Sequence, residues 1–133
     1  MNNKRGRFGG YIKAKRLADP RGLSIKEVAE HLGIARSYMS MVEGNIKKPL
    51  DNEKLKKLAE FLHFTEEETE MMYDLASREK NEVPHDLEET FNNDEVGNLA
   101  RYALRQSKKG IFEEEDWKRF IRETEAKKKQ EEQ

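Results

Sequence analysis

Ser24-Ile25-Lys26-Glu27-Val28-Ala29-Glu30-His31-Leu32-Gly33-Ile34-Ala35-Arg36-Ser37-Tyr38-Met39-Ser40-Met41-Val42-Glu43-Gly44-Asn45 is the stretch on which the reading of this chain turns. Ser24 and Glu27 have the spacing of a capping box ahead of an apolar run. Val28, Ala29 and Leu32 then recur at helical spacing and predict a buried stripe over residues 24–32. Gly33 follows, where a helix commonly ends in a left-handed residue that glycine adopts without steric penalty. Ile34, Met39 and Val42 predict the inward side of a second helix over 35–43. Arg36, Ser37, Ser40, Met41 and Gly44 fall on its opposite side. A capping box or a glycine turn alone also suits an ordinary helical hairpin with a hydrated face. Both together, in this register, point to two short helices joined by a tight turn.

That arrangement can set a short helix in the DNA major groove. Arg can reach guanine through two hydrogen bonds, and Ser can serve a base edge or a phosphate. The outward face therefore nominates Arg36, Ser37, Ser40 and Met41 for base contact. Ser24, Lys26, Tyr38, Asn45, Lys47 and Lys48 are the candidates for the DNA backbone. Charge agrees with this placement. Residues 1–48 hold 11 Lys/Arg and 4 Asp/Glu, a net of +7, while residues 49–133 hold 15 and 23, a net of −8. Phosphate neutralisation needs the basic part against DNA and the acidic part away from it.

These residues resemble the Xre/Cro-type helix-turn-helix of phage-type repressors, and the resemblance runs from about Gly10 to about Leu75. It implies an all-α fold, with a five-helix DNA-binding domain followed by a small helical extension. It implies that Arg16 of the first helix pairs with Glu43, and that the loop Gly44, Asn45, Lys47, Lys48, Pro49 contacts phosphate. The chain departs from the family's usual pattern at two positions. Ile25 stands where many members hold a Gln that reaches phosphate. Ala35 stands where Ser or Thr usually caps the recognition helix, a difference of about 1 kcal/mol. The connection Ala18-Asp19-Pro20-Arg21-Gly22 is slightly long and reads as a surface detail.

Residues 1–8, with Lys4, Arg5 and Arg7, read as a flexible basic arm. The DNA-binding domain is expected over 9–77. Its first helix, 9–18, would turn Ile12 and Leu17 inward. Leu55, Leu58, Ala59 and Leu62 predict a helix from Asp51 or Asn52 to about 62. Thr65 and Glu68 form a second capping box for a helix to about 77, with Met71, Met72, Leu75 and Ala76 inward. Residues 78–84 read as a hinge, because Pro84 forces extended backbone before it.

Residues 85–133 read as a helical dimerisation or regulatory region with a frayed end. Leu87 and Phe91 would be buried in a short helix. Val96, Leu99, Ala100, Ala103 and Leu104 would face inward in the next, which ends at Lys108-Lys109-Gly110. The final helix carries Trp117, Phe120 and Ile121. So few apolar residues cannot support a separate core, so this region should pack back on helices 51–77 or pair with a second copy. Phe112, Trp117, Phe120 and Ile121 are the candidate dimer interface. The spacing from Pro84 through Leu87, Phe91, Leu104 and Trp117 to Ile121 is also similar to the tails of Xre-type regulators carried by prophages and integrative elements of Gram-positive bacteria.

No cysteine is present, so disulfides and zinc–thiolate sites are excluded. His31, His63 and His85 have no metal-ligand spacing, and no glycine-rich phosphate loop occurs. No metal, no cofactor and no enzymatic activity are expected. Mean hydropathy is −1.07. No apolar run approaches the roughly 20 residues that cross a bilayer, and the start lacks a signal-peptide core. The expectation is a cytoplasmic repressor that binds a palindromic operator in double-stranded DNA as a homodimer, answering to an inducer or a protein antagonist. The alternative is a protein-interaction or antitoxin-like module using the same fold without specific DNA recognition.

Overall fold

The structure, a computed structural model, describes residues 7–132. The described residues are helical, without strands. The chain forms two compact units, residues 1–88 and 89–133.

The first unit holds five helices, α1 Phe8–Ala18, α2 Ile25–Leu32, α3 Arg36–Glu43, α4 Asn52–Phe61 and α5 Glu66–Lys80, and a 3₁₀ turn at His85–Leu87. Phe8, Ile12, Val28, Met39, Val42, Leu50, Leu55, Leu58, Met72 and Leu75 are almost completely buried and form one core. Both capping boxes are made: Glu27 N donates to Ser24 Oγ at 3.1 Å, and Glu68 N to Thr65 Oγ1 at 3.1 Å. Asp51 caps α4, accepting from Lys54 N at 2.9 Å.

Two sequence expectations change here and a third is extended. Leu17 is 64% exposed. The buried side of α1 is Phe8, Ile12 and Arg16, spaced four apart. At 100° per residue, Leu17 lies about 140° around the helix from Ile12. Next, α5 continues to Lys80 and stops where Asn81 turns left-handed at φ 58°. Residues 78–80 are thus helix, not hinge. The turn after Pro84 packs back on α5, where the His85 and Tyr73 rings lie 5.9 Å apart. Finally, the connection after α1 lies at the surface, as expected, but is tied to α4. Asp19 accepts from Arg21 N and Nε, both at 2.9 Å, and Arg21 donates to the Phe61 carbonyl at 2.6 Å. Arg21 lies 4.9 Å from the Phe61 ring, on which His31 stacks at 4.1 Å.

The second unit contains α7 Val96–Lys108 and α8 Glu114–Glu131, preceded by α6 Glu88–Asn92. Asn93 Oδ1 caps α7 by accepting from Gly97 N at 2.9 Å. A Cβ on Gly97 would lie 2.4 Å from the Phe91 carbonyl, so this crossing requires glycine. Gly110, at φ 82°, turns the chain toward α8. The helix continues through the Lys- and Glu-rich end to Glu131. Here the expected burial fails: Val96, Leu99 and Leu104 are 49–72% exposed, and Phe91, Ala100 and Ala103 are half-buried; Leu87, in the first unit, is 47% exposed. What joins α7 to α8 lies at their connection. Trp117 Nε1 donates to Ser107 Oγ at 2.8 Å, and the Phe112 ring meets the Trp117 ring edge-on at 4.6 Å.

Candidate nucleic-acid interface

The second helix of the turn is held by its inward side. Met39, Val42 and Glu43 of α3 are buried. Glu43 is fixed by Arg16: Arg16 Nε and Nη2 donate to its two carboxylate oxygens at 2.8 and 2.9 Å, and Arg16 Nη1 donates to the Leu23 carbonyl at 3.0 Å. The Glu43 hydrogen bonds hold the guanidinium above its ordinary pKa, so it remains charged although buried. A planar fork against a carboxylate fixes orientation as well as distance. This contact therefore sets the rotation of α3 relative to α1.

Gly33, at φ 71°, ends α2, and its N–H and that of Ile34 fold back onto carbonyls of the last turn. A Cβ at Gly33 would meet nothing within 4 Å, so backbone conformation rather than space calls for glycine. Ala35 occupies the N-cap of α3 in extended conformation, with no side-chain cap. Ile25, at the usual Gln position, packs partly against the core.

Arg36, Ser37 and Ser40 are exposed along α3, Tyr38 is 39% exposed, and Met41 is half-buried. Ser24 and Lys26 are exposed at the start of α2. Arg16, Ser24, Ile25, Lys26 and Arg36 line one open cleft of about 690 Å³, so the starts of α2 and α3 face a shared space. The first turn of α2 also presents N–H groups without intrahelical partners, of which the capping box uses that of Glu27. Lys47 and Lys48 are exposed in the loop after α3, which is shaped by Ile46 N and Lys47 N donating to the Met41 carbonyl at 2.9 and 3.2 Å.

Among the described residues, Lys26, Arg36, Lys47 and Lys48 make no ion pair, whereas Arg7, Lys15, Arg16 and Arg21 are all paired with carboxylates. The basic side chains on the α2–α3 side are open to an external anion, as are the exposed Lys13 of α1 and Lys56 and Lys57 of α4. The acidic counterweight is concentrated in residues 49–88, with 12 Asp/Glu and 5 Lys/Arg, a net of −7; residues 89–133 hold 11 and 10, a net of −1.

Some candidates have structural duties. Asn45 is left-handed at φ 61°, and its Oδ1 accepts from Gly9 N at 2.9 Å. A Cβ on Gly9 would come within 2.3 Å of the Val42 carbonyl, so α1 touches the end of α3 directly. Arg7 is paired with Glu79 at 3.0 Å, and Glu79 also accepts from Phe8 N at 2.7 Å, capping α1. Arg7 and Phe8 are thereby tied to α5 rather than part of a free arm; Lys4 and Arg5 lie outside the described residues. Ile46, which no sequence pattern singles out, is 74% exposed beside Lys47. Of the candidate dimer residues, Phe112 and Trp117 are half-buried against each other, and Phe120 and Ile121 are just over half exposed. Among the described residues, no group of three or more His, Cys, Asp or Glu side chains is placed to hold a metal, and no helix is long and apolar enough to cross a membrane.

Residues 12–68 match the helix-turn-helix family. Comparison with curated proteins and with solved structures gives no significant match.

Proposed function

We propose that the chain, whose residues 12–68 match the helix-turn-helix family and so support a DNA-binding regulator in general terms, is a sequence-specific repressor of the Xre/Cro type. It reads a palindromic operator as a homodimer, with α3 in the major groove. The observation that carries this reading is the shared cleft at the starts of α2 and α3, together with the unpaired state of Lys26, Arg36, Lys47 and Lys48. Arg36, Ser37, Ser40 and Met41 then face base edges. Ser24, Lys26, Tyr38, Lys47 and Lys48 hold phosphates and set the register. Asn45 serves less as a phosphate ligand than as the brace between α1 and the end of α3. Repression follows from occupancy: a dimer covering a promoter excludes polymerase. An inducer or protein antagonist would act by changing that occupancy.

An unbiased selection of operators with the purified full chain tests the reading. Two inverted half-sites with centres about one helical turn, 10–10.5 base pairs, apart are expected. A steep salt dependence without any enriched sequence would replace it with the interaction-module reading, which the exposed apolar side chains of residues 89–132 otherwise favour.

A further inference from the structure

We infer that α8 is the dimer interface and that it pairs with α8 of a second copy running in the opposite direction. The inference deepens the homodimer reading above and rests on it.

Gly97 is the only fully buried residue among 89–132. A unit whose every large apolar side chain is exposed or half-exposed has its apolar surface still to be covered. On α8 that surface is a stripe. Trp117, Phe120, Ile121 and Thr124 follow the i, i+3, i+4, i+7 spacing of one helix face. Phe120 is 52% and Ile121 53% exposed.

The ends of the stripe identify its partner. Glu113, Glu114, Glu115 and Asp116 precede it, and Lys127, Lys128 and Lys129 follow it. A helix that is acidic at one end of its apolar stripe and basic at the other is complementary to its own reversed copy. A two-fold axis demands this of any isologous interface. A parallel pair would instead set the acidic ends together and the basic ends together, which like-charge repulsion disfavours. Glu114 and Lys128 each lie about two helical turns from Ile121, on the same side of the helix. Reversal about Ile121 brings Glu114 of one copy opposite the second copy's Lys128.

Both residues have partners in their own helix, Lys118 for Glu114 at 2.9 Å and Glu125 for Lys128 at 3.9 Å. These pairs are solvent-exposed, weak and exchangeable. The unit's near-neutral balance, 11 acidic against 10 basic residues, opposes association little.

The test uses the absence of cysteine. Full-length Glu114→Cys and Lys128→Cys variants are treated with a short bismaleimide, separately and mixed, while sedimentation equilibrium at the same concentration reports stoichiometry. A dimer that cross-links strongly only in the mixture is expected. A dimer in which each variant cross-links with itself is parallel and overturns the inference, leaving the homodimer reading intact. A dimer that never cross-links at these positions associates elsewhere and overturns it equally. A monomer both free and on operator DNA overturns both readings. A second variant, Lys127→Glu/Lys128→Glu/Lys129→Glu, should weaken dimerisation while leaving the first unit's unfolding transition in place. Unchanged dimerisation would contradict the pairing.

Discussion

Residues 7–88 and 89–132 are both helical and both rich in charge, yet they treat their apolar residues in opposite ways. In the first unit the apolar stripes of five helices meet. Leu55, Leu58 and Met72 are 0–1% exposed, and a buried ion pair is fitted into the same interior. In the second, α7 is clearly amphipathic, yet its Leu99 is 72% exposed. A stripe specifies that a face should be covered; it does not supply the cover. Five helices can cover one another, whereas α7 and α8 engage at their connection and leave much of their apolar surface open.

Removing one partner of the buried pair should have the largest effect. Glu43→Ala leaves Arg16 charged and unpartnered in the interior, and should destabilise the first unit by about 3–5 kcal/mol. Urea denaturation followed by helical circular dichroism would measure this. A loss below about 1 kcal/mol would mean that the pair is hydrated and does not fix α3.

The contrast between the units becomes sharp with one substitution made twice. Leu55→Ala should cost about 2–5 kcal/mol of stability, because it empties part of a packed core. Leu99→Ala should change the stability of the dilute chain by no more than about 0.5 kcal/mol. Equal losses at the two positions would show that the second unit is covered within one chain, and the comparison would fail.

Much of the first unit was legible because its signals are local. The capping boxes at Ser24–Glu27 and Thr65–Glu68, the turn at Gly33 and the stripe of α4 each lie within a few residues of what they control. The misreadings involve distant partners. The inward position of α1 belongs to Arg16 rather than Leu17; its pairing with the distant Glu43 was implied by the family resemblance and by no local signal. Glu79 caps α1 across nearly the whole unit. The supposed hinge is continuous helix to Lys80, followed by a turn that His85 and Tyr73 hold against α5. In the second unit the stripes were legible, but what lies against them is not written within either helix. On the outward side of α3, exposure followed helical phase for Arg36, Ser37 and Ser40. The bracing role of Asn45 depends on Gly9, and no motif joins those two positions.

A smaller change probes the weakest local element of the first unit. Ala35 has the extended backbone of an N-cap but no acceptor side chain, so Ala35→Ser should stabilise the unit by about 1 kcal/mol. A thermal melt that fails to rise would show that the tertiary contacts of α3 already saturate its start.

The most modest effect concerns pH. Hydrogen bonds from Arg21 lower the Asp19 carboxyl from its ordinary 3.8 to about 2. A carboxyl depressed on folding stabilises the fold above its unfolded pKa, and this contribution is lost as pH falls through the folded value. Melting temperature should therefore decline between about pH 4 and pH 2, and Asp19→Asn should flatten part of that decline. An identical profile in the variant would remove Asp19 from the account.

In the proposed function α3 reads the operator, and Arg36→Ala probes that role at a single side chain. Binding of full-length protein to the selected operator and to random DNA is measured at one fixed salt concentration, with Lys47→Ala alongside. Arg36→Ala should lose about 1–3 kcal/mol on the operator and relax preference at one base pair. Lys47→Ala should weaken both DNAs alike and lower the salt slope by about one. Unchanged operator affinity and selectivity in Arg36→Ala would contradict that role.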